Sequence, residues 1–530
     1  MYHKIKSILI DIFKEYDLNT SDIILETPKN SSFGSLSTPL AFVLAKKLKK
    51  PPNVISKELE NSIKASKYAS CFSAVNSIGG YVNFEFSYEF LCSFKDSFLI
   101  PPKLEPQKIL IEYVSANPTG PLHIAHARGA ILGDILIRLG KFLGHQMYGE
   151  YYINDAGAQI RKLGLSVQFF GKKHLLNEDI SEPESYYVGD YVLDIAKEAL
   201  RSFGEDIFND IAKLEHFAKD LMLKEIKENL ELLDITLDNF VSEKEMLQDF
   251  EAIFNTLLKN DAIYYKDNKA FLKSTQFNDE KDRVIVKENG ELAYIAGDII
   301  YHDFKFKRKF DRYINIFGAD HHGYISRINA SLEFLGHDSK NLEYIIIQMV
   351  SLLENGKPYR MSKRAGNFIL LKDVINDIGS SAARFIFASK KQNSPLEFDT
   401  NTLKSQDQNN PIFYINYANS RIHTLLKKAK DDIKINTETE DIDALQKDLL
   451  DLMFLSLSIT KVIESAFNER AVHKICDYLI ELSARFHGFY NNHQILKSSL
   501  RDRILEVLEL VTQSIEHGMA LLGIKAKRQM

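Results

Sequence analysis

The sequence predicts a doubly wound, Rossmann-like parallel α/β domain, with an N-terminal α+β domain before it and an all-α helical domain after it. Three observations carry this. A buried-strand pattern, Ile109 to Val114, runs through a Pro/Gly-broken turn into a long apolar-periodic helix that starts near His123. A second strand pattern, Tyr313 to Phe317, ends in GADHHG, and strand ends in parallel sheets carry ligands. From about residue 408 onward the apolar pattern is helical throughout.

Composition bounds the answer. The 530 residues suffice for about two to four domains with at least one large core. Charged residues make up 26% and hydrophobic residues 45%, as in ordinary water-soluble proteins. A net charge of −5 gives no global basic field, so any surface for nucleic acid must be local. The three cysteines, Cys71, Cys92 and Cys476, are far apart and form no C-x-x-C pair. That argues against a disulfide framework and a cysteine-rich zinc site, and it fits a reducing compartment. The opening MYHKIKSILIDIFKEY is broken by Asp11 and suits an amphipathic helix better than a signal peptide. No run approaches the roughly 18 apolar residues of a membrane span. The expectation is a cytoplasmic protein with no membrane partner. The sequence shows no internal repeat, low-complexity segment, P-loop or G-x-G-x-x-G fingerprint.

Taken in order, residues 1–100 form a first domain. Helical periodicity over 2–16 is followed by the broken stretch TPKNSSFGSLSTP, a helix over Leu40 to Lys50 and a strand in GGYVNFEF. The run KKLKK within this helix reads either as a solvated helix end or as a phosphate-contacting patch. Prolines 101, 102 and 106 mark a linker. A domain over 106–395 follows. In it QMYGEYYINDAGAQIRKLG gives another strand, turn and helix, and YYVGDYVLDIAKEAL opens a further helix. Residues 203–290 are helical and charged, with a hairpin near DRVIVKENGELAY, and read mainly as support. KKQNSPLEFD is linker-like, and 408–530 is the helical C-terminal domain.

Four stretches carry chemistry. In KILIEYVSANPTGPLHIAHARGAILGDILIRLGKFLG, His123 and His126 share the first turn of a helix, where unpaired N–H groups and the positive end of the dipole point the same way. Such a helix start suits a nucleotide phosphate chain, although the bland alternative is a βα unit with surface histidines. In ELAYIAGDIIYHDFKFKRKFDRYINIFGADHHG, Tyr294 and Asp298 are four apart and share a helix face. His321 and His322 either serve a nucleotide or pack. The basic segment RMSKR, Arg360 to Arg364, comes about 235 residues after the first motif, in the order a two-half nucleotide fold requires. In FYINYANSRIHTLLKKA the aromatics Phe413, Tyr414 and Tyr417 precede a basic Arg421, and some of the three are expected in the core.

SANPTGPLHIAHAR resembles the HIGH motif of class I aminoacyl-tRNA synthetases in its arginyl-tRNA synthetase version, and RMSKR resembles the KMSKS motif. The resemblance covers nearly the whole chain. It implies activation of L-arginine with ATP to arginyl-adenylate, then transfer to the 3′-terminal ribose of tRNA(Arg), with release of AMP and pyrophosphate. It implies catalytic roles for His123, His126, Lys363 and Arg360. ATP would be held by Pro118, Thr119, Gly120, Ala125, Gly318, Asp320, His321, Met361 and Ser362. Arginine would be held by Glu112, Ser115, Asn117, Tyr294 and Asp298. Because a guanidinium needs a planar carboxylate partner, Asp298 is the first choice for it and Glu112 the next. Tyr414, Tyr417 and Arg421 would contact tRNA, and the N-terminal domain would pack against the tRNA elbow. Mg²⁺ would come with the nucleotide, without a dedicated protein metal site. The resemblance also implies a monomer that needs tRNA for its first step, and no editing domain is expected.

The chain departs from the family pattern at three positions. Ala125 replaces the third HIGH residue, Arg360 the first KMSKS residue and Arg364 the last. A modest effect on ATP binding is expected from the extra methyl of Ala125. The rivals are another class I synthetase, such as a cysteinyl or glutamyl enzyme, and a non-catalytic tRNA-binding paralogue. The NPTGPLH block and the Tyr294/Asp298 pair speak against the first. His123, His126 and Lys363 speak against the second.

Overall fold

The computed structural model describes residues 1–28, 30, 33–359, 369–430 and 441–530, with the backbone alone at 320–322. At its centre is a parallel sheet of five strands: β1 (Lys108–Glu112), β2 (Gln146–Ile153), β3 (Asn239–Ser242), β4 (Arg312–Gly318) and β5 (Leu342–Ile347). Their spatial order is β5-β4-β1-β2-β3. The chain therefore runs outward from β1 through β2 to β3, then crosses back to the other side of β1. The order reverses between β1 and β4, and in such sheets a crevice opens at the carboxyl ends of the two strands flanking the reversal. Ile109, Leu110 and Ile111 are all buried, as expected of a strand covered on both faces, which shows no alternation.

Helix α1 (Ile124–Phe142) follows β1 and packs on the sheet. A Cβ on Gly133 would stand 2.4 Å from the Tyr113 ring, so only glycine permits this approach. Between β2 and β3, helices Ala158–His174, Asp190–Phe203 and Ile211–Glu231 share their own core around Leu163, Val167, Ile195 and Leu214. After β3 an antiparallel sheet packs with α2 (Tyr294–Lys307). The sequence places a hairpin near DRVIVKENGELAY. There a bridge joins Val286 to Leu292, while Arg283–Val286 pairs as a strand with Lys269–Leu272. A tighter hairpin that was not anticipated joins Ile263–Lys266 to Lys269–Leu272. Its two turn residues, Asp267 and Asn268, have φ of 50° and 54°, which suits a two-residue hairpin turn.

In the N-terminal region the helix expected over 2–16 ends at Ile12 and continues as a 3₁₀ turn over Lys14–Tyr16. The next helix spans Leu40–Leu48 and is closed by Lys49 in the left-handed conformation. Three antiparallel strands lie in the order Leu36–Thr38, Tyr81–Phe86, Phe72–Ile78. The first of these falls in the stretch read as broken. This unit docks on the C-terminal helices. Phe86 stacks on Phe454 at 5.6 Å, and Tyr88 and Lys95 both bind Glu506.

The C-terminal helices are α3 (Pro411–Lys428), Ile442–Leu457, Ile459–Asn468, α4 (His473–Asn492) and Arg501–Leu521. Fully buried Arg384 ties them to α1 and to the segment before β3. It donates to the carbonyls of Leu233 and Leu522 at 2.5 and 2.6 Å and pairs with Asp134 of α1. Among the described residues, no helix is long and apolar enough to cross a membrane.

Candidate active site

The crevice between β1 and β4 holds a cleft of about 560 Å³. One wall is the turn from β1 into α1. Val114 and Ser115 there have φ of 70° and 38°. A β-branched residue rarely adopts this conformation, and it persists where the surroundings hold it. Tyr151 donates its hydroxyl to the Ala116 carbonyl at 2.5 Å. The Tyr152 N–H donates to Ser115 Oγ at 3.1 Å, and Ser115 Oγ donates to Glu112 Oε1 at 3.1 Å. The strained turn thus aims Ser115 at the strand-end carboxylate.

The second wall is the start of α1. The His123 backbone N–H donates to His126 Nδ1 at 3.3 Å. A ring nitrogen that accepts is unprotonated, so the neutral His126 ring carries its proton on Nε2. The two imidazoles stack with centroids 3.7 Å apart. Burial lowers the pKa of both, and burial plus the neighbouring His123 brings His126 down to about 3. Near neutral pH the pair therefore offers N–H donors without fixed charge. The Ile124 N–H donates to Ile369 O at 3.1 Å, and the Leu371 N–H to Leu122 O at 2.9 Å. The chain that follows the RMSKR motif is thereby bound to the first turn of α1. Arg360, Met361, Ser362, Lys363 and Arg364 lie outside the described residues, as do the side chains of Asp320, His321 and His322.

The third wall is acidic. Tyr294 and Asp298 of α2 line the cleft together with Glu112. Asp298 Oδ2 is buried without a hydrogen-bond partner. Burial, reinforced by Glu112 and Glu243, pushes the Asp298 carboxyl up to about 8, against the pull of Arg327 and Lys305. A buried carboxylate oxygen with no partner is costly unless a ligand satisfies it. Burial also raises Glu243, to about 7. Asn154 donates to the Tyr294 hydroxyl at 3.4 Å.

Glu112, Ser115, Asn117, His123, Ala125, His126, Tyr294, Asp298 and Gly318, all singled out from sequence, line this one cleft. Pro118, Thr119 and Gly120 do not. Pro118 is buried, Tyr191 donates its hydroxyl to Thr119 O at 3.2 Å, and a Cβ on Gly120 would meet that hydroxyl at 3.4 Å. These three residues shape the turn from outside the cleft, held by a helix far away in sequence. Sequence reasoning missed several lining residues, among them Tyr152, Asn154, Tyr301, His302, Gln348 and Met349. It also missed Arg128, whose buried guanidinium donates to the carbonyls of Gln348, Ser394 and Lys391 at 3.0, 2.7 and 2.7 Å. The available signal was an arginine on the apolar face of α1, one turn after Ile124.

On α3, Ile415, Ala418, Ile422 and Leu425 take the core face. Phe413 and Tyr414 are only half-buried and Tyr417 is 38% exposed. The expectation that some of these aromatics are core is therefore corrected: they sit beside the helical stripe that packs inward. Phe413 and Tyr417 lie nearly parallel with centroids 6.0 Å apart, and Arg421 sits 4.7 Å above Tyr417 and 4.1 Å above Tyr490 of α4.

Three family models match the chain. They are described as Arginyl tRNA synthetase N terminal domain over residues 1–86, tRNA synthetases class I (R), catalytic domain over 95–437, and DALR anticodon binding domain over 415–530. The chain is 49% identical over 539 residues to an arginine–tRNA ligase of Wolinella succinogenes, covering 100% of both. It is 47% identical over 547 residues to an arginine–tRNA ligase of Helicobacter pylori, covering 100% of this chain and 99% of that one. The solved structure of Thermus thermophilus arginyl-tRNA synthetase superposes over 100% of both chains with a TM-score of 0.76. At 18% identity that likeness speaks for the fold alone.

Proposed function

The chain belongs to the arginyl-tRNA synthetase family, and from that premise we propose that the cleft between β1 and β4 is where arginine and ATP react. The overall reaction joins L-arginine to tRNA(Arg) through arginyl-adenylate, with release of pyrophosphate and then AMP. The observation that carries the assignment of the cleft is what lines it. Asp298, with a buried carboxylate oxygen that has no partner, and a helix start with two neutral imidazoles, His123 and His126, face the same cleft. A guanidinium suits the first and a phosphate chain the second.

In this reading Asp298 and Tyr294 take the guanidinium. Glu112, Ser115 and Asn117 hold the rest of the amino acid. The arginine carboxylate attacks the α-phosphorus, and the bond to the bridging oxygen of pyrophosphate breaks. His123 and His126 donate N–H groups to the phosphate oxygens as their charge shifts, and positioning and charge stabilisation supply most of the rate. Lys363, with Arg360, follows the leaving pyrophosphate. Ala125, Gly318, Asp320, His321, Met361 and Ser362 hold the nucleotide, and Pro118, Thr119 and Gly120 shape the turn beside it. Mg²⁺ would enter on the phosphates.

Tyr414, Tyr417 and Arg421 contact tRNA, within a division into domains at 1–100, 106–395 and 408–530. The enzyme works as a monomer, as the resemblance implies. It is cytoplasmic, in keeping with three free thiols.

Lys363→Ala should lower kcat about 100-fold and leave KM for arginine within about 3-fold, because the ammonium acts on charge that develops in the transition state. A large KM change with normal kcat in steady-state aminoacylation would remove Lys363 from that role. Tyr417→Ala should raise KM for tRNA about 10-fold, the order expected for one lost base stack, with kcat unchanged. An unaltered tRNA KM would return Tyr417 to a packing role.

The reading as a whole is tested by ATP–pyrophosphate exchange with arginine, glutamate or cysteine, with and without tRNA. Exchange with arginine plus tRNA is expected. Exchange with another amino acid would overturn the specificity argument, and none at all would favour a non-catalytic tRNA-binding role.

A further inference from the structure

Behind Glu112 lies a lysine with no path to solvent. Lys305, in the last turn of α2, is 0% exposed. Its ammonium pairs with Glu112, donates to Asn315 Oδ1 of β4 at 2.7 Å, and lies 4.3 Å above the Tyr301 ring. Burial lowers the ammonium's pKa, while Glu112 and Glu150 oppose that shift.

The network continues with its donors and acceptors fixed. His302 Nδ1 lies 2.7 Å from the backbone carbonyl of Asp298, which can only accept, so Nδ1 carries the hydrogen. Burial holds His302 neutral. Its Nε2 must therefore accept, and it does so from Asn315 Nδ2 at 2.9 Å. That orientation turns Asn315 Oδ1 towards Lys305. One chain of hydrogen bonds thus runs from Glu112 through Lys305, Asn315 and His302 to the backbone of Asp298.

A buried ion pair is a poor stabilising device, because apolar residues of the same volume often do as well. Its use here lies in what it does to Glu112. With Ser115 on one oxygen and Lys305 on the other, the carboxylate is fixed in rotation where it lines the cleft. We propose that Lys305 is a positioning residue for arginine recognition: it pairs with Glu112 and keeps it aimed at the substrate, and through Asn315 and His302 it ties that carboxylate to the turn of α2 that carries Asp298. The inference rests on the reading of the cleft as the arginine site.

The test is a double-mutant cycle in aminoacylation, reading KM for arginine and kcat separately. Lys305→Met leaves a buried Glu112 without its counter-charge and should raise KM for arginine on the order of 100-fold, with kcat changed about 5-fold or less. In a Glu112→Gln background the same Lys305→Met change should cost less than about 3-fold, since no charge remains to be held. An equal factor in both backgrounds would overturn the proposal, because Lys305 would then act through packing alone. If Lys305→Met does not fold, Asn315→Ala takes its place in the cycle. It should raise KM about 5-fold in the native background and leave it unchanged beside Glu112→Gln, and equal effects would again overturn the proposal. If Glu112→Gln alone left KM for arginine unchanged, the reading of Glu112 as an arginine ligand would fail, and the inference with it.

Discussion

Asp298→Asn is expected to weaken arginine binding about 1,000-fold while leaving KM for ATP near its native value. In its proposed role the carboxylate would pair with a planar guanidinium through charge-assisted, bidentate hydrogen bonds. Taking one partner from a buried ion pair costs about 3–5 kcal/mol, which is roughly two to three and a half decades of affinity. The pH dependence has a definite sign. Burial pushes the Asp298 carboxyl up to about 8, so below that pH the free enzyme holds it protonated. In the proposed role arginine would bind the ionised form and displace this proton. KM for arginine should therefore fall as pH rises towards about 8 and then level off, and Asp298→Asn should flatten this slope. The same shift affects stability. The folded pKa lies above the unfolded value of about 3.9, so stability is lost progressively as pH rises between the two, and the asparagine variant escapes that loss. A native arginine KM in Asp298→Asn, measured over about pH 6 to 9, would remove Asp298 from the site.

His126→Ala should have its effect on the chemical step. A loss of kcat of about 100- to 1,000-fold is expected, the range for deleting one donor aimed at developing charge. The His126 ring is neutral, with Nδ1 occupied by the His123 N–H and its pKa at about 3. Its removal should therefore leave the shape of the pH–rate profile above about pH 5 unchanged, which separates a donor from a general base. His126→Gln, which keeps an N–H donor, should recover part of the loss. If exchange kinetics instead showed the main change in KM for arginine, the histidine would belong to the amino-acid end of the cleft.

The β1–turn–α1 unit and the α2 face with Tyr294 and Asp298 were legible because their chemistry is local: an apolar run, a Pro/Gly turn, and residues three or four apart. The structure brings Glu112, His123, His126 and Asp298 to one cleft because β1 and β4 flank the reversal of strand order. What was hidden depends on partners distant in sequence. Lys305 reads as one more basic residue near a helix end, and its meaning comes from Glu112 and Asn315 on two neighbouring strands. The strained turn at Val114 and Ser115 leaves no compositional mark, because neither is glycine. Pro118, Thr119 and Gly120 carry the motif's spacing, yet whether they line the cleft is decided by Tyr191, some seventy positions on. On α3 the aromatic stripe and the aliphatic stripe share one helical period, and tertiary packing turns the aliphatic one inward.

The claim at the centre of this account is that a buried carboxylate selects arginine by charge. Citrulline has nearly the same shape without the cation, so the direct measurement is the ratio of kcat/KM for arginine over citrulline in tRNA charging. For the native enzyme a ratio on the order of 10,000 is expected, falling to about 10 or below in Asp298→Asn, because a site built around a buried polar partner rejects analogues that leave it unpaired. A ratio that stays at its native value in Asp298→Asn would contradict the account and move the source of specificity elsewhere in the cleft.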